Sequence, residues 1–585
     1  IFKGKIKMTL RTIVMFLITG TISLSMTEEE IKKKAEEFRT EEYYYMGSGK
    51  GNNPLDTINA AEAYAQGYTG KGVTLGIVDD YVNLSHSEFA SKDNSYVIGK
   101  IPEDMDWLKN DHGTHVAGIM SASKDGKGMH GAAFNSNLAS GLFSTSEGLI
   151  KAYDYFNTRE DIKVVNNSWA YEVYIDEIHN TDGENHKGRD GFLKIIEEDE
   201  DAQNSIEILK SSMKKYNKLL IFANANSGHI TPSLIPLLSY LDKEVKNNII
   251  GVTALDTFSG KDNLGFLAVF SDLNKYNEEN SISAPGVMIN SANAANSQEY
   301  IPMAGTSQAA PMVTGVGGLV QEAFPYMTGK QIGDVLLSTT NKVIDESQKF
   351  VGTIQEDVNN PPILNMIYFT GKSDSKNKLK EDIEKYYDAN EVMLRMYYLG
   401  FGEEGNKENF VETYMEGNLI SIYENVPYEI VYGQGVLDAG KAVKGLGTLN
   451  ARRLEKEDIS SSNNRVKSYL AGKEQALYSI NTMGFDSTWS NDISETKAGY
   501  MTAEGNLEGV TNINKFTSEE KEKLNGYINK NTSLTDEEKE YFDKMFKFYL
   551  SNEYRYDSES GEIVTSTDND IFLSNGKEYI DEYNK

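Results

Sequence analysis

The chain has 585 residues and no cysteine, and its 58 lysines and arginines stand against 88 aspartates and glutamates, a formal net charge of −30. This length predicts about three or four domains' worth of chain. The acidic balance argues against nucleic acid as a partner, since phosphate binding needs a basic surface. The absence of cysteine excludes disulfides, cysteine nucleophiles and zinc–thiolate sites.

Residues 1–26 have the pattern of a signal peptide for export. The basic stretch KGKIKMTLR precedes the apolar run TIVMFLITGTISLS, which is too short for a membrane span. No Ala-x-Ala-like cleavage site follows, and a buried N-terminal helix is the alternative. A short N-terminal segment over 27–55 comes next and is predicted to be helical over 28–42.

Short β-branched runs alternate with helical patterns in the next part of the chain. The runs are GVTLGIVDD (72–80), KVVNNSWA (163–170), KLLIFANANSG (218–228) and NNIIGVTALD (247–256). Strands that are bounded by Gly, Asn and Asp and separated by helices predict a parallel α/β sheet.

Two stretches interrupt this alternation and are predicted to be insertions, the first of them acidic, polar and at the surface. The first covers about 171–215 and carries a helix at about 202–216. The second covers about 344–430 and carries a charged helical stretch at 378–398.

A turn-rich segment that ends in glycines places a domain boundary near residue 450. Residues 451–585 then form a C-terminal extension, in which two Thr-x-x-Glu capping boxes predict helices. These helices are TSEEKEKLNGYI (517–528) and TDEEKEYFDKMFKFYL (535–550).

One serine stands among small residues immediately before an apolar run of helix length, in IPMAGTSQAAPMVTG (301–315). The pattern predicts a buried helix with Ser307 in its first turn, beside the helix amides and the positive end of the dipole. An N-capping serine on a core helix is the alternative. Pro311, however, has no N–H to bond the Ser307 carbonyl. The start of the helix is therefore incompletely held at Ser307, which suits a reactive residue.

Two further residues complete a set that can activate a serine. Asp79 ends the first buried strand, and His112 opens an apolar, helix-like run in DHGTHVAGI (111–119). A serine hydroxyl is a weak nucleophile until a base takes its proton, and that base needs a partner that fixes its tautomer. Asp79, His112 and Ser307 are therefore candidate members of a catalytic triad.

With these motifs the chain resembles the subtilisin-like serine proteases, or subtilases, over roughly residues 56–450. IVDDYVNLSH, DHGTHVAG and GTSQAAPMVTG are similar to the family's Asp, His and Ser motifs, and IFANANSG to its oxyanion-hole motif. The resemblance implies a serine endopeptidase in which Ser307 attacks, His112 transfers the proton and Asp79 orients His112. Asn226 stands at the position of the asparagine that binds the oxyanion.

The fold implied by the resemblance is a three-layer α/β fold with a mainly parallel central sheet, here followed by a C-terminal extension with helical segments. VVNNSWA resembles the strand that pairs with substrate, so Ser168, Trp169 and Ala170 are predicted to line the cleft. Three residues depart from the family pattern, since Tyr81, Ala225 and Ala170 stand where glycine is usual. These departures put substrate preference in doubt and leave the catalytic assignment unchanged.

The resemblance implies no cofactor for catalysis. Relatives often bind calcium structurally, so structural calcium is among the expectations. His115, three residues after His112, suggests a two-histidine metal site, but zinc is disfavoured without cysteine or a His-Glu-x-x-His motif. No metal ligand is assigned.

The segments YGQGVLDAGKAVKGLGTLNARRL (432–454) and LYSINTMGFDSTWSNDISE (477–495) resemble the region after the protease in bacterial subtilase-type autotransporters. Residues 451–585 would then belong to a truncated passenger region. This subtype implies a protein that is secreted or at the bacterial cell surface, associated with the outer membrane if it is an autotransporter. Membrane contact is expected only through the export signal or a missing C-terminal translocator.

The expected partners are protein or peptide substrates. The alternative from another class is a catalytically silent subtilase fold that acts as a surface binding or adhesion module. The complete set of four motif residues argues against that alternative. An esterase is disfavoured as well, because it would lack the peptide-pairing strand that NNSWA suggests.

Overall fold

A computed structural model describes most of the chain between residues 28 and 444, together with four short strands beyond residue 496. The described ranges are 28–47, 53–171 without 102, 104, 107 and 144, 200–242, 245–258, 266–325, 327–341, 349–357, 360–371, 375–397 and 407–444. The predicted export segment over 1–26 lies outside the described residues.

A sheet of seven parallel strands lies at the centre of the described region, in the order β2-β3-β1-β4-β5-β6-β8. The strands are Thr74–Asp79 (β1), Tyr96–Val97 (β2), Asn137–Leu142 (β3), Val164–Asn167 (β4), Leu219–Ala223 (β5), Ile249–Asp256 (β6) and Ser281–Pro285 (β8). Phe266–Leu267 (β7) pairs antiparallel with the end of β6. Ile289–Ala292 (β9) and Tyr300–Met303 (β10) form a separate antiparallel pair. The four predicted runs form β1, β4, β5 and β6, so the predicted parallel α/β sheet is confirmed.

The α-helices of the described residues surround this sheet and its neighbouring segments. They are Glu28–Ala35 (α1), Glu41–Tyr45 (α2), Pro54–Thr57 (α3), Ala60–Ala65 (α4), His112–Ser121 (α5), Ser146–Asn157 (α6), Glu200–Lys214 (α7), Leu234–Leu241 (α8), Thr306–Ala323 (α9), Gly329–Ser338 (α10), Lys376–Tyr397 (α11), Lys407–Gly417 (α12), Tyr428–Tyr432 (α13) and Ala439–Ala442 (α14).

Helices cover both faces of the central sheet. Successive side chains of a strand point to opposite faces. Ile77 of β1 accordingly packs into one apolar core with residues of α5 and α9, such as Val313. Its neighbour Val78 packs into a second core with residues of α6, α7 and α8, such as Leu209. The molecule therefore has the three layers that the resemblance implied.

A second, smaller sheet is formed within the stretch predicted to be the second insertion. Phe350–Asp357 (β11) pairs antiparallel with Asn360–Tyr368 (β12), and Ile420–Tyr423 (β13) pairs parallel with β12. We call these three strands the accessory sheet. Tyr386 of α11 and Phe410 of α12 pack against each other beside it.

The two helices predicted inside the insertions are confirmed within a few residues of their predicted bounds. The first is α7 (Glu200–Lys214), and the second is α11 (Lys376–Tyr397). The strands of the accessory sheet were not predicted, although β12 carries the apolar run ILNMIY (363–368), and one of their pairings joins segments more than 50 residues apart.

Four short strands are described in the C-terminal extension. Lys497–Met501 (β14) pairs antiparallel with Leu507–Asn512 (β15), and Tyr554–Asp557 (β16) with Glu562–Thr565 (β17). The helices predicted at 517–528 and 535–550 lie outside the described residues. In the described part of the chain, no helix combines the length and apolar character needed to cross a membrane.

Candidate active site

The carboxylate of Asp79 lies at the carboxyl end of β1, where it meets the start of α5. Asp79 is 3% exposed, and its Oδ1 lies 2.6 Å from Nδ1 of His112. The same oxygen accepts a hydrogen bond from the backbone N–H of Asp80 at 2.8 Å. A hydrogen bond to a buried carboxylate requires the proton on Nδ1, so the Nε2 atom of a neutral His112 can accept one.

His112 is the first residue of α5 and keeps 32% of its side chain exposed. Gly113 allows this helix to begin against the Asp80 backbone, since a Cβ at residue 113 would lie 2.3 Å from the Asp80 carbonyl oxygen. Burial lowers the pKa of His112, but the charge and hydrogen bond of Asp79 outweigh it, with help from the charges of Asp80 and Asp111. The net effect raises the pKa of His112 from 6.5 to about 9.

Ser307 is the second residue of α9 and is partly exposed. Its hydroxyl donates to the backbone carbonyl of Ser168 at 3.1 Å, and the hydroxyl of Ser168 donates to the Ser307 carbonyl at 2.8 Å. Pro311 explains the second bond, because it has no N–H to offer that carbonyl. Ser168 therefore completes the hydrogen bonding that the sequence predicted to be incomplete at the start of this helix.

A buried polar chain extends this contact between α9 and β4. The amide nitrogen of Asn166 donates to the Ser168 hydroxyl at 3.0 Å, and the hydroxyl of Thr314 donates to the Asn166 amide oxygen at 3.0 Å. Asn166 and Thr314 are both fully buried. Buried hydrogen bonds of this kind hold the elements they join in a single arrangement.

Asn226 lies in the loop after β5, which we define as the oxyanion loop, residues 224–229. Its amide oxygen accepts hydrogen bonds from the backbone N–H and the hydroxyl of Thr306, at 2.7 and 3.0 Å. A backbone N–H can only donate, so the accepting atom must be the oxygen, and the NH₂ group is free to donate elsewhere. A Cβ at Gly305 would lie 3.2 Å from that nitrogen, so the NH₂ group lies beside the start of α9.

Two of the three triad candidates are joined to each other, and the third is bonded to a residue outside the triad. Hydrogen bonds connect Asp79 to His112 and Ser307 to Ser168, whereas none in the described part of the chain joins Ser307 to His112. Catalytic hydrogen bonds are often long or poorly aligned before substrate binds, so this resting arrangement is compatible with a nucleophile and base that meet later. The catalytic roles of these residues remain predictions.

The three residues predicted to line the cleft differ in exposure. Ser168 and Trp169 are 4% and 7% exposed, and Ala170 is half-buried. The Trp169 ring stacks on Phe143 at 4.4 Å and packs in the core between the sheet and the outer helices. Any contribution of Trp169 to the cleft therefore comes from its backbone, as is already the case for the Ser168 carbonyl.

Only one of the three departures from glycine coincides with a left-handed backbone. Ala225 has φ +97°, whereas Tyr81 and Ala170 are outside the positive-φ region. A left-handed conformation costs a residue with a Cβ roughly 1–2 kcal/mol. Ala225 therefore places strain directly before the candidate oxyanion donor.

Sequence reasoning missed a buried carboxylate that supports the oxyanion loop. Oδ1 of Asp272 accepts hydrogen bonds from the backbone N–H groups of Ser227 and His229, at 3.0 and 2.9 Å. Asp272 itself is fully buried. No motif marks it, since its partners come from a segment more than 40 residues earlier.

Two observations bear on metals. Among the described residues, one group of three His, Asp or Glu side chains has ligand atoms that all lie within 4.8 Å of one another. It consists of Asp79, Asp80 and His112. His115 is fully buried, and its Nε2 lies 3.1 and 3.0 Å from the carbonyl oxygens of Ile289 and Ile301. Burial, together with the charge of His112, lowers the pKa of His115 to about 3. Its contacts are those of a neutral core residue.

Comparison with known proteins matches residues 70–361 to the model of the Subtilase family. An extracellular serine protease of Serratia marcescens is 31% identical over 340 residues, which are 49% of this chain and 31% of that protein. Subtilisin DY of Bacillus licheniformis is 28% identical over 294 residues, 50% of this chain and 92% of that protein. Among solved structures, the self-cleaved protease domain of PatA is 21% identical, covers 47% of this chain and 90% of its own, and has a TM-score of 0.34. The chain thus spans under a third of the length of the Serratia protease.

Proposed function

The chain belongs to the subtilase family through its residues 70–361, and from this premise we propose that it is a serine endopeptidase. The observation that carries the proposal is the 2.6 Å contact between the buried Asp79 carboxylate and Nδ1 of His112. A surface histidine needs no such partner, whereas a general base does, because its tautomer must be fixed.

In the proposed first step, Ser307 Oγ attacks the peptide carbonyl while Nε2 of His112 takes the hydroxyl proton. The hydroxyl must first turn from the Ser168 carbonyl towards His112. His112 then gives the proton to the leaving amine, which breaks the peptide bond and leaves an acyl group on Ser307. Water, activated by the same histidine, hydrolyses the acyl-enzyme and restores the serine. These steps use only side chains of this chain and require no cofactor.

Negative charge develops on the carbonyl oxygen during both steps. The Asn226 NH₂ group and the backbone N–H of Ser307 would stabilise that oxyanion. The two bonds from Thr306 to the Asn226 oxygen support this role, because they orient the donor before substrate arrives. A donor that is already oriented needs no reorganisation during the reaction.

We further propose that an extended peptide pairs with the backbone of residues 168–170 as an added strand. Main-chain hydrogen bonds supply affinity in this binding mode, and side-chain pockets supply specificity. The Ser168 carbonyl, already bonded to Ser307 Oγ, would place the scissile bond next to the nucleophile.

The finer predictions from the sequence stay proposals. The protease domain would cover 56–450, with insertions at about 171–215 and 344–430, and 451–585 would be a C-terminal extension. Secretion is supported by the name of the Serratia relative, an extracellular serine protease. The autotransporter subtype and structural calcium rest on the resemblance alone.

The test is digestion of a mixed peptide library by the purified protein and by its Ser307→Ala variant. We expect discrete cleavage products from the first and almost none from the second, with unchanged thermal unfolding, since one small residue replaces another. A Ser307→Ala variant that retains a tenth of the cleavage rate would exclude Ser307 as nucleophile. A folded protein that gives no products would favour the silent binding module.

A further inference from the structure

The oxyanion loop is held by strands that lie outside the central sheet. The Ser227 carbonyl accepts a hydrogen bond from the Glu356 N–H of β11 at 2.9 Å. The Gly228 carbonyl accepts two more, from the Thr353 hydroxyl at 2.7 Å and the Asn365 side-chain NH₂ at 3.0 Å. The last two donors are 125 and 137 residues away in the sequence. The accessory sheet is thus a direct support of the loop that carries Asn226.

These contacts are shielded from water and tightly packed. Thr353 and Asn365 are both fully buried. A Cβ at Gly228, whose φ is +69°, would lie only 2.1 Å from the Ile354 carbonyl oxygen. The loop and β11 therefore touch backbone to backbone and cannot shift independently. The Asp272 carboxylate holds N–H groups of the same loop.

We propose that the accessory sheet fixes the position of the oxyanion donor, with Thr353 and Asn365 as positioning residues that act through Gly228 on Asn226. The inference rests on the proposed peptidase function. Its physical basis is the steep distance dependence of catalysis, since a displacement of about 1 Å can cost on the order of 10² in rate. Two residues of a segment predicted only as an insertion thereby support the loop that carries the oxyanion donor.

The first test compares kinetic constants for a peptide substrate. The double variant Thr353→Val with Asn365→Leu removes both donors while keeping the number and branching of the side-chain heavy atoms. We expect kcat to fall by about 10-fold to 10²-fold and KM to change by less than about twofold, because the loss is confined to the transition state. Thr353→Ser, which keeps the hydroxyl, should retain kcat within about twofold on the same reasoning. The single variant Thr353→Val leaves the Asn365 donor and should lower kcat by about threefold or more, so a milder variant is available if the double variant does not fold.

A matched control lies in the same sheet. The Tyr368 hydroxyl of β12 donates to Asp382 of α11 at 3.1 Å, in a hydrogen bond that does not involve the oxyanion loop. Tyr368→Phe should therefore lower thermal stability without changing kcat. If Tyr368→Phe and Thr353→Val lowered kcat equally, the accessory sheet would have only a general structural role, and the inference would be wrong.

The second test asks whether the effect passes through Asn226. In an Asn226→Leu background, removing the Thr353 and Asn365 donors should change kcat by less than about twofold, since interacting sites are non-additive. Independent, multiplicative losses would contradict the inference. An active parent protein whose kcat is unchanged in both Thr353→Val and the double variant would also overturn it. A parent protein with no activity at all would instead overturn the proposed function.

Discussion

The Asp79 carboxylate can be changed to an amide of nearly the same size, and Asp79→Asn should abolish almost all peptidase activity. Asp79 heads the influences that raise the pKa of His112 from 6.5 to about 9, with smaller contributions from Asp80 and Asp111. A rise of that size corresponds to about 3 kcal/mol in favour of the imidazolium, the form that His112 takes after it accepts the serine proton. Losing most of it would cost on the order of 10² in rate.

A second loss of activity follows from a change in the tautomer of His112. An asparagine at residue 79 can donate a hydrogen bond to Nδ1, which leaves the proton on Nε2, where it blocks acceptance from Ser307. In chymotrypsin-fold serine proteases this substitution lowers kcat by about 10⁴ in total. We therefore expect kcat for Asp79→Asn to be about 10⁴-fold lower when both proteins are compared at a pH at which His112 is neutral.

The assay is the steady-state hydrolysis of a chromogenic peptide, with Asp80→Asn as the matched control. Asp80 follows the end of β1 and acts on His112 through its charge, whereas the hydrogen bond to Nδ1 comes from Asp79. Asp80→Asn should keep at least about a tenth of the activity. The reverse ranking of the two variants would refute the assignment of the triad carboxylate.

Three further predictions use the same assay or thermal unfolding. Activity should rise with pH as His112 loses its proton near pH 9. Asp80→Asn should move this rise in activity to lower pH, because removing a nearby negative charge disfavours the imidazolium. A rise that did not move, or that moved to higher pH, would contradict the charge argument. Asn226→Leu should lower kcat by about 10²–10³ with little change in KM, the figure known from the equivalent residue of subtilisin; a rise in KM alone would make Asn226 a substrate-binding residue. Ala225→Gly should raise the free energy of unfolding by about 0.5–1 kcal/mol, because the relief of left-handed strain exceeds the entropy that glycine adds to the unfolded chain. The measurement uses the Ser307→Ala background to prevent self-digestion. A loss of stability would show that the strain is absent.

The central fold could be predicted from the sequence because its determinants are local. Buried parallel strands require continuous apolar runs, and residues 74–79 and 249–256 provide them. Helix α9, which carries Ser307, could be predicted for the same reason, since small residues and an apolar run specify a helix start at Thr306. The alternative of a plain N-capping serine is not what the structure shows at this position. The helix has no side-chain cap bond from its N-cap residue, Gly305, and the Ser307 hydroxyl bonds to Ser168 instead.

What the sequence could not predict depends on contacts between distant segments. The burial of the Trp169 ring could not be predicted, because Phe143, on which it stacks, lies in a distant part of the sequence, directly after β3. The role of Asp272 is invisible for the same reason, since its carboxylate is satisfied by the backbone of the oxyanion loop. The accessory sheet carries buried polar residues such as Thr353 and Asn365, and polar residues in a sequence are normally read as surface.

Covalent labelling tests the central claim most directly. The purified protein is treated with a fluorophosphonate, which phosphonylates a serine activated by a neighbouring base, and the modified residue is identified by peptide mass spectrometry. The account predicts one modified residue, Ser307, with labelling abolished in Ser307→Ala and strongly slowed in Asp79→Asn. Modification of a different serine, or equal labelling of the protein and its Asp79→Asn variant, would contradict it.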